Sequence, residues 1–426
     1  MKTVIIIVET EVLEQPVYFG KSGDLAIIDY FLRCNWNIFL LNANTLQKKI
    51  TKELEVFEVQ KEDYSAIFYE SIMLECSNIR NSKTPATGAD GLKIDLKFKQ
   101  TNLSKVGSFL LLSRAMPQSL TQVFLCNFNI LSQDAFYIPQ NMNEICLYKD
   151  KVIPYLLQQN NDNLELLYSK YSPETKRFIK KDDNIFENLS LNTCVIDLAN
   201  SFEENYQKII KIEGKFCIKP FNLFGGIGVK IFQDSKNKKE ILQHIETIKQ
   251  EFIKYKVSER YFALAQEAVI FPEFGDVRVL FSYGKFIGAF IKCEPHGYIH
   301  NTMYGGIIIP VCNENLSFYH NFEQKYREPF LQTIQSITSL NEMSSFLRNE
   351  FICGYDLLLT KENEKLQFKL TETNIACPTG FPFLDSSLIV SVYSEKPSIE
   401  DVKQYFQNNV RTIDVVMNSL VHQVTV

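Results

Sequence analysis

The sequence predicts an α/β protein with an N-terminal doubly wound parallel sheet, turning to an α+β pattern of antiparallel hairpins in its C-terminal half. Three observations carry this. Short apolar runs alternate with amphipathic stretches over the first part of the chain, the rhythm of strands separated by helices. From Lys215 onward, glycine-containing turns separate the apolar runs instead, as hairpins require. The chain's 426 residues exceed one ordinary domain, for which the length prior is roughly two to three units.

Taken in order, residues 4–8 (VIIIV) read as a buried strand, 23–35 as an amphipathic helix and 37–41 as a second strand. Residues 66–69 and 109–112 are further short apolar runs, and 118–131 has helical spacing. Residues 78–102 are polar and rich in turn formers, so they read as an insertion or long loop within a first unit spanning 1–134. A central unit, 135–214, opens with the strand AFYIPQ and contains a polar excursion at 160–188, dense in Asn, Lys and Asp. A third unit, 215–385, carries hairpins at 221–228 and 283–285, a long helix at 238–255, a helical stretch at 321–350 and a final hairpin at 351–374. The tail, 386–426, has apolar spacing suited to a helix packed on the body.

Composition narrows the function. A hydrophobic share of 45% and an aromatic share of 13% suffice for packed cores, against disorder. A formal charge of -5 offers nucleic acid no electrostatic partner. The apolar run near the start is too short for a secretory signal, and no stretch reaches the length of a membrane span. Ten scattered cysteines without a CxxC pair argue for reduced thiols and against zinc. The expectation is a soluble cytoplasmic protein, with neither nucleic acid nor membrane as partner; a homo-oligomer is compatible with it.

The final hairpin carries the first chemistry. In FICGYDLLLTKENEKLQFKLTETN two apolar strands flank a polar turn. Side chains alternate along a strand, so Glu372 and Asn374 share a face. Asp356 lies near them if the turn centres on Asn363. Two carboxylates and an amide supply hard oxygen ligands suited to Mg²⁺, and without a cation the carboxylates are expected to repel one another. An exposed polar hairpin face is the alternative.

Upstream, KFCIKPFNLFGGIGVKIFQD places Gly225, Gly226 and Gly228 between two strand-like runs. A dinucleotide fingerprint or a P-loop must feed its glycines into a helix. These glycines instead make a hairpin tip, either a nucleotide flap offering backbone N–H groups to phosphates or a tight turn. Lys219 precedes them in an apolar strand, where an unpaired ammonium is costly and a phosphate would satisfy it. The GKS at Gly20–Ser22 is no P-loop, because Gln15 stands where its first glycine belongs. In 262–270, polar Gln266 and Glu267 interrupt apolar neighbours; an exposed strand edge there would suit an adenine and a ribose. Arg278 opens the next strand, either paired with Asp276 or clamping a phosphate or acyl group. HNTMYGG then brings His300, Asn301, Gly305 and Gly306 into a loop that would line the same cleft.

Together these segments resemble the ATP-grasp ligases, specifically prokaryotic glutathione synthetase. SFLLLSRAMP, with Arg114 and Pro117, is similar to that family's arginine-and-proline segment, and IPQNMNEICLYKDKV to the stretch leading to its first nucleotide lysine. That lysine maps to Lys151, with Lys149 the other register. IKPFNLFGGIGV resembles its lysine strand and glycine flap, AQEAV its adenine hinge, and GDVRVLFSYGKFIGA its aspartate-x-arginine strand. GYDLLLT and LTETNIACPTG resemble its metal hairpin. The sequence departs where Ile299 replaces an arginine before the loop asparagine, and where Ile307, Ile308 and Ile309 follow the double glycine in place of another arginine.

The resemblance implies an ATP-grasp fold and ATP-dependent carboxylate–amine ligation with ATP and Mg²⁺, Mn²⁺ being an alternative ion. It assigns Asp356, Glu372 and Asn374 to the metal. Lys151, Lys219, Gly225, Gly226, Gly228, Gln266 and Glu267 fall to the nucleotide. Arg278, His300 and Asn301 take the catalytic positions, and Arg114, Gly305 and Gly306 the substrate; His300 is equally readable as a plain loop histidine. A full transfer implies γ-glutamylcysteine and glycine. The alternatives are joining an amino acid to another peptide or protein, crosslinking a peptide, or a nucleotide-binding scaffold without turnover. A small-molecule or peptide carboxylate and an amine acceptor are the implied partners.

Overall fold

The computed structural model describes residues 2–8, 22–42, 55–60, 98–106, 109–113, 135–138, 189–220, 228–255, 262–268, 274–293, 307–320, 322–343, 348, 352–362, 364–374, 384–385, 388–389, 392–393 and 397–425. Its first sheet has six strands, ordered β4-β3-β2-β1-β5-β6. They are β1 (Thr3–Val8), β2 (Asn37–Asn42), β3 (Glu55–Val59), β4 (Phe98–Asn102), β5 (Phe109–Ser113) and β6 (Ala135–Ile138). β1, β2, β5 and β6 run parallel. β1 is apolar from Val4 onward because both its faces are covered: Ile5 and Ile7 enter one core cluster, Val4 and Ile6 another. Helix α1 (Ser22–Arg33) buries Ala26, Ile27, Tyr30 and Phe31 in the second of these. It stops at Asn35, whose positive φ of 58° lets Trp36 N–H reach Phe31 O at 2.9 Å and Asn35 N–H reach Leu32 O at 3.0 Å.

The α/β class, the parallel N-terminal strands and the antiparallel second half are as the sequence predicts. Two details of the first sheet are not. β3 and β4 add an antiparallel edge, so the end of the stretch expected to be an insertion, 98–102, is a strand. The strand AFYI, expected to open a second unit, pairs with β5 and completes the first sheet.

The second sheet, ordered β7-β10-β8-β9, is antiparallel. It comprises β7 (Thr193–Asp197), β8 (Phe216–Pro220), β9 (Lys230–Phe232) and β10 (Phe262–Glu267), with helices α2 (Phe202–Ile209) and α3 (Lys238–Tyr255). β7 and β8 both pair with β10, so a boundary near residue 214 would cut through one sheet. Ser201 and Glu204 form a capping box that starts α2. Phe216, Ile218, Ala263 and Ala265 pack on Ile241, Ile245, Ile248 and Phe252 of α3, which closes one face of this sheet.

The third sheet, ordered β13-β12-β11-β14-β15, is antiparallel throughout. Its strands are β11 (Asp276–Ser282), β12 (Lys285–Cys293), β13 (Ile307–Asn313), β14 (Cys353–Glu362) and β15 (Lys365–Asn374). Tyr283 and Gly284, with φ of 49° and 71°, make the tight turn between β11 and β12. Helix α4 (Gln324–Met343) covers one face through Phe330, Ile334, Ile337 and Leu340, against Val277, Val279, Tyr355 and Leu357.

The tail forms two helices rather than one, α5 (Ile399–Asn408) and α6 (Thr412–Thr425). Ile413, Val416, Met417 and Leu420 bury the helical stripe of α6 in the core shared with α1. Polar ties reinforce it: Arg411 Nη1 meets Asp29 Oδ2 at 2.6 Å, and Tyr30 Oη donates to Asn418 Oδ1 at 2.8 Å. Among the described residues no helix is long and apolar enough to cross a membrane.

Candidate active site

The face of the third sheet opposite α4 gathers charge. Strand register sets Arg278 opposite Asp356, Asp356 opposite Glu372, and Asp276 opposite Lys292. Cross-strand partners share a face, and Asn374 follows Glu372 by two. The pairing of Asp356 with Glu372 anticipated from the hairpin turn is therefore present. A bulge lies beside it: Thr371 has no cross-strand partner, and its Oγ1 donates to Asp356 O at 2.9 Å. Such a bulge re-aims neighbouring side chains next to a site.

Asp356 is the hub. Arg278 grips it in a fork, Nε to Oδ1 and Nη2 to Oδ2, each at 2.6 Å. Lys292 Nζ donates to Oδ2 at 3.0 Å, and Asn374 Nδ2 reaches Oδ2 at 3.3 Å. Lys292 also lies 3.8 Å from Asp276 Oδ2. The side chains of Arg278, Lys292 and Asp356 are only 12%, 10% and 7% exposed. Burial works to raise the Asp356 pKa, but the Arg278 and Lys292 charges outweigh it and hold the carboxyl well below the usual range. Burial likewise works to lower the Arg278 pKa, and Asp356, Glu372 and Asp276 together lift it above its ordinary value. Asp356 and Glu372 thus do not form the bare repelling pair expected from sequence, because two cations sit on Asp356.

Among the described residues two cations face three carboxylates here. Glu372 is half-buried, and among the described residues nothing donates a hydrogen bond to its carboxylate. A half-buried carboxylate with no hydrogen-bond donor among the described residues, beside an amide and a second carboxylate, is a donor set suited to a hard divalent cation. Mg²⁺ therefore fits the chemistry of Asp356, Glu372 and Asn374, with Glu372 the ligand that needs no prior bond broken.

Lys292, outside the site residues read from the sequence, is a full member of this cluster. The signal was the one that singled out Lys219: a lysine near the end of an apolar strand. Gly275 supports it, since its φ is +76° and a Cβ there would stand 2.2 Å from Lys292 O. Ile308 and Ile309 prove to be packed strand residues, Ile308 directly opposite Lys292. They are apolar because the sheet buries them.

The second sheet carries the other cluster. Phe216 and Ile218 face α3, so Cys217 and Lys219 point to the opposite side, together with Leu264 and Gln266. Leu264 belongs to the same core cluster as Val277 and Tyr355, so this side is turned toward the third sheet's core. Lys219 Nζ donates to Gln266 Oε1 at 2.8 Å. Gln266 is 1% exposed, and its Nε2 has no hydrogen-bond partner among the described residues, an unmet donor worth about 1–3 kcal/mol. Over 262–268 there is no open strand edge: β10 is paired on both sides, and even Glu267 and Ala268 spend their N–H groups on Asn192 O and Lys215 O, while 269–270 lie outside the described residues.

Gly228 ends the glycine loop with φ +71°, and a Cβ there would touch Pro220 Cγ at 3.0 Å. His244 Nε2, from α3, lies 3.1 Å from Gly228 O, and burial pushes the His244 pKa down. Arg114, Lys151, Gly225, Gly226, His300, Asn301, Gly305 and Gly306 lie outside the described residues.

No protein-family model matches the chain, and no curated protein matches it. Among solved structures it is similar to the VanG D-Ala:D-Ser ligase of Enterococcus faecalis, at 11% identity over 95% of this chain and 99% of that one, TM-score 0.48. A D-alanine-D-alanine ligase of Coxiella burnetii shares 9% identity over 100% and 99% of the two chains, TM-score 0.47. A biotin carboxylase of Campylobacter jejuni shares 10% over 95% and 70%, TM-score 0.46. Likeness this distant carries no argument, and the functional reading rests on the chain's own residues.

Proposed function

We propose that the chain is an ATP-dependent ligase of the ATP-grasp type, joining a carboxylate to an amine through an acyl-phosphate. The observation that carries this is the single sheet face on which Asp356, Glu372 and Asn374 meet Arg278 and Lys292. Oxygen ligands beside buried cations are the equipment of phosphoryl transfer, which needs positioning and charge stabilisation more than covalent help.

In this reading Asp356, Glu372 and Asn374 hold Mg²⁺, or Mn²⁺ in its place, which supplies neutralisation of the nucleotide phosphates. Lys219 and Lys151 add positive charge at those phosphates. Gln266 offers its unmet Nε2 donor to the nucleotide, and Glu267 sits beside it. The Gly225, Gly226 and Gly228 loop excludes water. Arg278 stabilises the acyl-phosphate and the tetrahedral oxyanion that follows amine attack. His300 and Asn301 take the catalytic positions beside Arg278, and Arg114, Gly305 and Gly306 bind substrate. The reaction is placed in the cytoplasm.

γ-Glutamylcysteine and glycine are the substrates if the sequence resemblance transfers fully. Ligation to another peptide or amino acid is the second reading, favoured by Ile299 where the family holds an arginine. Phosphate release from ATP, first with γ-glutamylcysteine plus glycine and then with amino-acid and peptide mixtures, tests both. Hydroxylamine added to each carboxylate pool traps an acyl-phosphate as the hydroxamate. Glutathione formation establishes the first reading, and release only with the mixtures establishes the second. No phosphate and no hydroxamate with any carboxylate contradicts a ligase and leaves the scaffold.

A further inference from the structure

Asp356 is claimed twice, by the cation ligand set and by ion pairs. Its two oxygens accept four donors: Arg278 Nε at 2.6 Å, Arg278 Nη2 at 2.6 Å, Lys292 Nζ at 3.0 Å and Asn374 Nδ2 at 3.3 Å. Each carboxylate oxygen offers about two lone-pair sites, so Oδ2, with three of these donors, is oversubscribed, while Oδ1 accepts one. Glu372, directly across the hairpin, accepts no hydrogen bond from a described residue. A divalent cation entering beside Glu372 and taking Asp356 Oδ2 must displace Lys292, Asn374 or the Nη2 arm of Arg278. Both cations are nearly buried, and an ammonium cut loose from Asp356 keeps only Asp276, at 3.8 Å, so an incoming anion is favoured beside it.

We infer that Arg278 and Lys292 are an anion-binding pair that Asp356 occupies as an internal stand-in, so that the face loads a divalent cation and a phosphoryl or carboxylate anion together by partner exchange. The inference rests on the proposed ligase reading and adds Lys292 as a positioning residue. With a cation held by Glu372, Asp356 would turn toward it, and the released Lys292 and Arg278 would take the incoming anion. Coupling of this kind is reciprocal: whatever factor the anion adds to cation affinity, the cation adds to anion affinity. It also keeps a lone cation or a lone anion from binding well, which suits a reaction that must not begin until both are seated.

Mn²⁺ titration of the purified full-length chain, followed by electron paramagnetic resonance without nucleotide, tests this. Lys292→Met removes one competitor for Asp356, and it should bind Mn²⁺ about tenfold more tightly than wild type, since a unit charge a few ångströms away acts at this scale. Inorganic phosphate should tighten Mn²⁺ binding in wild type at least about threefold and leave Lys292→Met unchanged. Lys292→Arg, which keeps the charge, should behave as wild type. A gain of affinity cannot come from damaged folding, so Lys292→Met binding Mn²⁺ equally or more weakly overturns the exchange. If wild type binds Mn²⁺ and only the gain is missing, the exchange alone falls. If neither wild type nor Lys292→Met binds Mn²⁺, the metal reading of the face falls with it.

Discussion

Replacing Asp356 by alanine removes the hub of the charged face and leaves two cations facing each other. Arg278 and Lys292, 12% and 10% exposed in their side chains, lose their shared carboxylate. Breaking a buried pair by deleting one partner costs about 3–5 kcal/mol. Asp276, 3.8 Å from Lys292, offsets part of this, so the low end is expected. A loss of ~3 kcal/mol lowers Tm by about 6–12 °C in a cooperative unit of this size. Glu372→Gln removes a charge with no described hydrogen bond and should stay within about 0.5 kcal/mol of wild type. The contrast between two carboxylates side by side on one hairpin is the signature. The one tryptophan, Trp36, lies beside α1 and reports the wrong region. Hydrogen exchange of the β14 and β15 amides, alongside calorimetry, is the suitable assay. The sign with pH follows from the depressed Asp356 pKa: its stabilisation is complete above the unfolded value, near pH 4, and is lost as pH falls toward the folded value. Asp356→Ala should flatten that acid slope. An Asp356→Ala protein as stable as wild type would refute the ion-pair account.

Three further outcomes are expected. Burial lifts the Asp385 pKa to about 7 despite hydrogen bonds from Thr412 N–H and Oγ1 at the start of α6. The folded state then holds a proton that the unfolded state has released, so stability should fall between about pH 4 and pH 7, by up to ~4 kcal/mol, and Asp385→Asn should abolish that slope in thermal melts. Arg411→Ala removes the 2.6 Å bond to buried Asp29, which keeps Arg33, and should cost about 1.5–3 kcal/mol in Trp36-monitored urea unfolding. Gly275→Ala forces a Cβ toward Lys292 O at φ +76° and should cost more than about 2 kcal/mol, read as a lower Tm.

What could be read from the sequence was local. The helix at Lys238–Tyr255 is bounded as its spacing implied, because one apolar stripe on α3 decides it. Glu372 was placed opposite Asp356 because a short polar turn fixes hairpin register, with Glu364 adopting the positive φ of 66°. β3 and β4 were not legible: Glu55, Glu58, Lys99 and Gln100 break any apolar run on a half-exposed edge. The joining of β6 to β5 and of β7 to β10 is long-range pairing that no local pattern announces. The same holds inside the site. Arg278 and Lys292 are 78 and 64 residues from Asp356 in sequence, and only the sheet order β12-β11-β14-β15 brings all three to one face. The sequence showed a carboxylate pair, and tertiary pairing supplied the cations that change its electrostatics.

The central claim is that the Asp356, Glu372 and Asn374 face holds a metal–nucleotide complex. Calorimetric titration of MgATP into wild-type and Glu372→Gln protein tests it most directly, because this substitution is expected to leave stability untouched. The account expects saturable binding to wild type and at least a tenfold weaker affinity, about 1.4 kcal/mol, in Glu372→Gln at unchanged Tm. Equal MgATP affinity in the two proteins would contradict it.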